Sequence, residues 1–373
     1  MNKKNVLLIA ETMEGGVRRH VMDLINGLDT NQFSLTLIYG NRVDATFLNN
    51  ISNLKRRAKL INVCYFTREI SPKNDVKALR DIKRVMKEYK PDIVHCHSSK
   101  AGVLGRMAAK SLGVKKVFYT PHAYSFQNEE FSPSKKRLFI TIEKMLSRRF
   151  TTSTFNVSKQ ERTEALSRKI DRENKFKVIY NGLPLVDLPD KIQLRTELGL
   201  SGDTYIVGNN GRLSDQKKPL SFLRVANEVI KKNKAIHFVW AGDGRLYDEC
   251  MDFIKMNQLE DNVHMLGFRE DAEMIVNAYD LFLITSSHEG LPYCLIEAMR
   301  ASVPIIGFAH SGIDEIVTEE NGGLVSSEDE AVSEIVNHMK NRIFSKEVIF
   351  SNFEHYYSID KMLKDLHSAY ISQ

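Results

Sequence analysis

The chain has 373 residues, of which 42% are hydrophobic and 27% charged, with a formal net charge of +6. That composition is globular, and the length suits two domains of ordinary size. It excludes a collagen, which needs far more than 20 glycines, a disulfide scaffold, which needs more than four cysteines, and a disordered chain, which would be poorer in apolar residues.

The first apolar run, residues 6–10, is closed by Glu11. A secretory signal needs at least about seven apolar residues in its core. No stretch approaches the ~18 apolar residues of a membrane span. Cys64, Cys96, Cys250 and Cys294 are scattered and form no CxxC pair, so they read as reduced thiols. The expectation is a cytoplasmic chain that crosses no membrane.

Short β-branched runs at 6–10, 33–39, 60–65, 92–95, 116–120, 152–156 and 176–179 alternate with segments of helical period, such as 17–28, 75–89, 102–112 and 159–166. This spacing predicts βαβ units and a parallel sheet. Asn181-Gly182-Leu183-Pro184 and Asp187-Leu188-Pro189-Asp190 are breaker signals and mark a linker. The alternation then resumes, with strands at 206–210, 237–241, 263–266, 281–285 and 303–307 and helices at 219–232, 246–258, 272–279 and 294–301. The tail, 328–373, reads as helices only. The predicted fold class is α/β, with two doubly wound Rossmann-like domains meeting near residue 182.

Dividing the charge at that point is informative. Residues 1–182 hold 35 Lys+Arg against 17 Asp+Glu, a net of +18, and residues 183–373 hold 18 against 30, a net of −12. Such asymmetry suggests an anionic partner for the first half.

Three segments could carry chemistry. Glu11 to His20 contains Gly15-Gly16 at a strand-to-helix turn, where free amides favour a phosphate. It matches neither a dinucleotide fingerprint nor a P-loop. Gly211 to Pro219 follows a strand and offers Arg212 and Lys217, a fork and a point charge suited to a diphosphate. Ser287 to Met299 holds Glu289 and Glu297, with seven residues between them, around Gly290-Leu291-Pro292. Pro292 suits the first turn of the next helix. Glu297 falls among apolar neighbours, where a carboxylate wants a partner such as a ribose hydroxyl.

The Glu289/Glu297 pair resembles the E-x7-E motif of retaining glycosyltransferases of family 4, which have the GT-B fold. Further stretches agree in order: Gly15-Gly16 with His20, Tyr119-Thr120-Pro121-His122, Asn156-Val157-Ser158, Ile179-Tyr180-Asn181-Gly182, Gly211-Arg212 with Lys217, Gly242-Asp243-Gly244 and Gly267-Phe268. The resemblance implies a C-terminal helix crossing back, so that 357–373 pack on domain 1–182 and leave 183–356 as the donor domain.

It also implies a nucleoside-diphosphate sugar, UDP before GDP, held in a cleft between the domains. Arg212 and Lys217 would neutralise the diphosphate. Glu297 would bind the ribose, and Glu289 with the backbone of Gly290, Leu291 and Pro292 would hold the sugar. Phe268 would meet the base through its backbone, while Gly15, Gly16 and Gly242 line the donor. His122 would lie near the sugar hydroxyls. The expected reaction is retaining, by same-face displacement with no dedicated base. No DxD motif is found, so no metal or cofactor is expected.

The acceptor would belong to the basic half. His95 and His97 share a strand face but lack further zinc ligands in the sequence, so a hydroxyl-rich helix start at Ser98, Ser99 and Lys100, with His20, is the expected acceptor side. This stretch resembles loops of family members that build capsule, O-antigen and other bacterial polysaccharides. The segment 135–150 places Leu138, Ile142, Met145 and Leu146 at helical spacing between basic ends. Lys135, Lys136, Arg148 and Arg149 would face an anionic membrane. Lys55, Arg56, Arg57 and Lys59 could extend that patch. The natural acceptor would be a lipid-pyrophosphate-linked glycan at the inner face of the cell membrane. Rivals are an epimerase of the same fold, a transferase acting on a soluble acceptor and an inactive sugar-nucleotide binder. Nucleic acid is not an expected partner, because the basic half lacks a stacking platform.

Overall fold

A computed structural model describes residues 3–67, 70–127, 131–310, 312–341 and 344–372. Two compact units emerge, residues 1–181 with 359–373, and residues 182–358. Of the tail expected to be helical, residues 342, 343 and 373 lie outside the described residues.

Unit 1 is built on seven strands: β1 (Lys4–Met13), β2 (Phe33–Val43), β3 (Ala58–Asn62), β4 (Ile93–His97), β5 (Lys116–Thr120), β6 (Ser153–Asn156) and β7 (Phe176–Val178). All pair in parallel, in the order β3-β2-β1-β4-β5-β6-β7. Helices cover both faces, so β1 is apolar on both sides, as a buried parallel strand must be. Val6, Leu8 and Ala10 pack with Leu24 and Ile25 of helix Gly15–Gly27 and with Leu366 and Tyr370. Leu7 and Ile9 turn the other way, toward Ala78, Ile82, Leu104 and Ala108. Register runs Val6 to Leu35 and Val6 to Ile93, and shifts between Ala10 and Thr12, at Glu11.

The last helix, Ile359–Ile371, belongs to unit 1. It lies so close to helix Gly15–Gly27 that a Cβ on Gly27 would fall 2.2 Å from Leu363 Cδ1. Helix Pro133–Phe150 is tied down by Arg106, whose Nη2 meets Glu143 Oε1 at 2.8 Å while its guanidinium covers the Tyr119 ring at 3.9 Å.

Unit 2 has six parallel strands, β8 (Tyr205–Asn210), β9 (Ile236–Ala241), β10 (Val263–Met265), β11 (Leu281–Ile284), β12 (Ile305–Phe308) and β13 (Gly322–Val325), in the order β10-β9-β8-β11-β12-β13. Val207, Phe222, Phe238, Trp240, Leu283 and Ile306 form its core. Both sheets are therefore Rossmann-like, as the alternation predicts.

Four elements differ from the sequence reading. Strand β13 and the helices Ala45–Leu54 and Lys191–Glu197 were not anticipated. The helix expected over 272–279 breaks into Ala272–Ile275 and a 3-10 turn, Val276–Ala278. There Asn277 Nδ2 donates to Pro189 O at 2.8 Å, and two β-branched residues adjoin.

Candidate functional site

In unit 2 the strand order reverses between β8 and β11. Ligands of open parallel sheets bind beyond the carboxyl ends of the strands at such a point. The loops after these strands carry Lys217 and Glu289, and polar contacts lock them together. Thr285 Oγ1 donates to Lys217 O at 2.8 Å, Ser287 N to Gln216 O at 2.8 Å, and Gln216 Nε2 to His288 O at 2.9 Å. Lys217 Nζ consequently stands 2.5 Å from Glu289 Oε1. Burial disfavours this ammonium, but Glu289 and Cys294 together outweigh burial and hold its pKa above the usual lysine value. Arg212 is exposed and close enough to oppose the Lys217 charge.

The neighbouring loops are zipped to the first. Gly211 N donates to Ala241 O at 3.0 Å and Gly242 N to Gly267 O at 2.8 Å. At Gly242 (φ +151°) a Cβ would fall 2.0 Å from Gly211 O, so no other residue fits. Phe268 follows and is 67% exposed.

Helix Tyr293–Arg300 begins one residue before the expected 294, with Pro292 at its N-cap rather than in its first turn. Pro292 keeps an extended ψ of 120°, which carries the chain away from the helix axis. Gly290 and Leu291 precede it, with Leu291 buried. Glu297 lies inside the helix and is buried. It acts electrostatically on Tyr279 and Cys294.

Sequence reasoning passed over Gly312, which has φ +82° and sits so close to the motif that a Cβ would fall 2.4 Å from Glu289 O. It also passed over Gln216 and Thr285. A glycine just after β12 was a signal for the first; nothing local marks the other two.

Unit 1 reverses between β1 and β4, and its candidate residues gather at that edge. Gly15 (φ +54°) starts helix Gly15–Gly27, followed by Gly16. Its amide points at Asp44 Oδ2 at 3.4 Å, and Asp44 also pairs with Arg18 at 3.0 Å. Gly15 therefore already has an anionic partner within the protein, in place of the free amide expected for a phosphate.

The residues expected on the acceptor side also have partners within the protein. Ser98 Oγ donates to the buried Glu11 carboxylate, Ser99 Oγ accepts from Ser125 Oγ at 2.5 Å, and Lys100 Nζ pairs with Asp75 at 2.6 Å. Ala101 N also donates to Glu11 at 3.3 Å, so Glu11 anchors this helix start. Burial raises the Glu11 carboxyl above its usual range, against these hydrogen bonds.

The histidines form the cluster that the sequence lacked. His20, His97 and His122 come from three elements, with ligand-capable atoms all within 4.8 Å of one another. His97 Nδ1 and His122 Nε2 are 3.2 Å apart. His20 Nδ1 donates to Asn181 Oδ1 at 3.0 Å. The expectation that the His95/His97 pair has no companions is thus wrong for His97. His95 is engaged with Tyr370 Oη at 2.6 Å and Thr120 Oγ1 at 2.8 Å. Burial lowers His20 to about 4 and takes His97 and His122 well below the usual value. All three are neutral at physiological pH. His122 (φ +55°) and Ala123 (φ +94°) make a strained turn, held by Ala123 N donating to the buried Glu161 at 2.7 Å.

Helix Pro133–Phe150 shows an outer face with Arg137, Leu138 (56% exposed), Met145 (42% exposed) and Arg149. Leu146, expected on that stripe, is buried. Lys135 lies over the Phe131 ring, and Lys136 is half-buried. Arg148 is tied to the carbonyls of Lys169 and Ile170 at 2.7 and 3.0 Å, which corrects its placement as a free surface charge. Among the described residues no helix is long and apolar enough to cross a membrane.

Known proteins resemble both units. A family model described as Glycosyltransferase Family 4 matches residues 14–186, and one described as Glycosyl transferases group 1 matches residues 204–342. The chain is 30% identical over 326 residues to an Escherichia coli UDP-Gal:alpha-D-GlcNAc-diphosphoundecaprenol alpha-1,3-galactosyltransferase, spanning 83% of this chain and 80% of the relative. It is 27% identical to the Escherichia coli O-antigen biosynthesis glycosyltransferase WbnH, over 76% of this chain and 74% of the relative. Among solved structures, Anabaena HepE in complex with UDP and glucose superposes with a TM-score of 0.81 at 19% identity, covering 98% of each chain. This likeness identifies the fold as GT-B.

Proposed function

This chain belongs to glycosyltransferase family 4, and on that premise we propose that it moves a hexose from a UDP-sugar to a lipid-pyrophosphate-linked glycan, retaining the anomeric configuration. The observation that carries the reading is the meeting of Lys217 and Glu289 at the switch point of unit 2. A cation and a carboxylate there match the two halves of the donor, an anionic leaving group and a hydroxyl-bearing sugar.

In this reading Arg212 and Lys217 stabilise the charge that grows on the departing diphosphate. Interactions stronger in the transition state than in the ground state raise turnover. Glu289 and the backbone of Gly290, Leu291 and Pro292 hold the sugar. Glu297 takes the ribose hydroxyls, and Phe268 lies by the base. The glycosidic bond to phosphate breaks on the face where the acceptor oxygen bonds, and the departing phosphate takes the acceptor proton. With two cations on the diphosphate, this step requires no metal there. His20 and His122 are the substrate-side groups of unit 1.

The acceptor class is supported by the Escherichia coli relative, whose name specifies a diphosphoundecaprenol substrate, and by the +18 charge of residues 1–182. The exposed basic and apolar face of helix Pro133–Phe150 fits an anionic membrane surface. That would hold the protein at the inner face of the membrane.

A mass-spectrometric screen of nucleotide sugars with a lipid-pyrophosphate acceptor tests this reading. The expected result is one hexose gained by the acceptor and one UDP released. Donor conversion without an acceptor would instead identify an epimerase.

A further inference from the structure

We propose that Glu11 and Ser98 are positioning residues for the transfer reaction: together they hold a strained turn after β4 that fixes the turn carrying His122. The inference rests on the transferase reading, which makes His122 a substrate-side group of unit 1.

Ser98 is the N-cap of helix Ser99–Ser111, with φ +68° and ψ 174°. An N-cap serine is ordinarily extended at negative φ, and its Oγ accepts an amide of the first turn. At Ser98 the backbone occupies a region that glycine alone enters without strain, and the hydroxyl makes no cap hydrogen bond. It donates instead to Glu11 Oε2. The same oxygen accepts from Ala101 N at 3.3 Å, a first-turn amide that the N-cap side chain would normally take. Glu11 is thus both the cap of this helix and the tether that keeps Ser98 in its strained form.

The strained turn is clamped to the segment around His122 on both sides. Ser98 N donates to Thr120 O at 2.9 Å, two residues before His122. Ser99 Oγ accepts from Ser125 Oγ at 2.5 Å, three residues after it. Between these ties His97 Nδ1 and His122 Nε2 stand 3.2 Å apart. His122 and Ala123 also have positive φ, +55° and +94°, so two strained turns brace each other at one sheet edge. Such strain persists only where the surroundings over-determine it, and it collects at functional sites. A serine cap at negative φ would close the helix without strain; what the positive φ adds is the fixed join to the His122 turn.

The test compares Ser98→Ala with Ser98→Gly in the full-length protein. Both lose the hydroxyl, and only glycine relieves the positive φ. Ser98→Gly should have the higher Tm, by about 2–4 °C, yet the lower kcat, by about 10-fold, because its freed backbone no longer confines the turn. UDP affinity should be equal in the two. Glu11→Ala should lower kcat about 10²-fold, and Glu11→Gln, which keeps an oxygen for Ser98 Oγ and Ala101 N, should recover most of it. Lys90→Gly is the control: Lys90 has φ +44° at the C-cap of helix Pro72–Tyr89, ahead of β4, so its Tm should rise with kcat unchanged. Hydrogen exchange read by mass spectrometry reports the same coupling without turnover. Ser98→Gly and Glu11→Ala should speed exchange at residues 120–125 as well as at 98–102. Exchange altered at 98–102 alone, or a kcat that rises with Tm from Ser98→Ala to Ser98→Gly, overturns the proposal. The Ser98 pair decides even if Glu11→Ala misfolds. A wild type that transfers no hexose would defeat the transferase reading, and the exchange data would still decide whether Glu11 and Ser98 hold the His122 turn.

Discussion

Lys217 Nζ and Glu289 Oε1 stand 2.5 Å apart although 72 residues separate them in the chain. The Glu289 side chain is only 9% exposed, so each charge depends on the other. Lys217→Ala should therefore do two things. Loss of a cation aimed at developing charge lowers kcat by about 10²–10³. The stranded carboxylate also costs stability, on the order of 2 kcal/mol, or roughly 4–8 °C in Tm. Lys217→Met combined with Glu289→Gln should recover the Tm without recovering turnover. Full turnover in Lys217→Ala would remove Lys217 from the mechanism.

That pair shows how far the sequence could be read. Strand β1 was legible because an unbroken apolar run is what a strand covered on both faces requires. Strand β13 was not, because Gly322 and Gly323 supply no side chain to reveal a pattern. Glu289 and Glu297 were visible as a local motif, but the lock between their loop and Lys217 runs through Thr285, Ser287 and Gln216, whose roles depend on backbone atoms distant in sequence. The histidine cluster was hidden for the same reason. Ser98, Ser99 and Lys100 looked available for substrate only because Glu11, Ser125 and Asp75 are remote.

Glu297 separates donor binding from chemistry. If it holds the ribose equally in the ground and transition states, Glu297→Ala should weaken UDP about 10-fold, the equivalent of one hydrogen bond to a charged group. The donor KM should rise with kcat nearly constant. Calorimetric titration with UDP checks this; unchanged affinity would place the ribose elsewhere.

Thiol reactivity reports on the same helix. Burial, opposed by Lys217 and reinforced by Glu289, pushes the Cys294 thiol up to about 12. Burial does the same for Cys96 and Cys250, also to about 12. Below that pH the thiol is neutral, so at pH 8 only about one molecule in 10⁴ is thiolate. Maleimide at pH 8 should modify the exposed Cys64 and spare the other three. Cys294 is only half-buried, so its labelling rate should rise about tenfold per pH unit between 7 and 10. Peptide mass mapping reads this, and rapid labelling of Cys294 at pH 8 would refute the shift.

The membrane reading depends on a particular face of helix Pro133–Phe150. Arg148 is bonded to backbone carbonyls, so reversing it tests folding rather than lipid contact. Arg137 and Arg149 are exposed, and Lys136, next to Arg137 in the chain, is half-buried. Each basic residue near an anionic surface contributes about 1 kcal/mol. Lys136→Glu, Arg137→Glu and Arg149→Glu together should reduce co-sedimentation with phosphatidylglycerol vesicles by at least ~100-fold. Adding Leu138→Ser should weaken it further. Unaltered sedimentation would exclude this helix as the contact.

Gly312 gives the most local test of the donor loop. Its φ of +82° already disfavours any residue with a Cβ. A Cβ would also meet Glu289 O at 2.4 Å, Glu289 C at 2.7 Å and Gly290 O at 2.9 Å. These are backbone atoms and cannot rotate aside, so Gly312→Ala must move the turn that carries Glu289. Strain of this kind costs about 1–3 kcal/mol, and displacement of a positioning group by 1 Å can cost about 10²-fold in rate. The expected outcome is a Tm lowered by several degrees and a kcat lowered more than UDP affinity, because Glu297 sits on the helix beyond the turn. Gly199→Ala is the control. Gly199 has a similar φ, +73°, but no atom lies within 4 Å of a Cβ placed there. It should lose stability alone and keep its kcat. Equal kcat in the two variants would show that contact with Gly312 does not position Glu289.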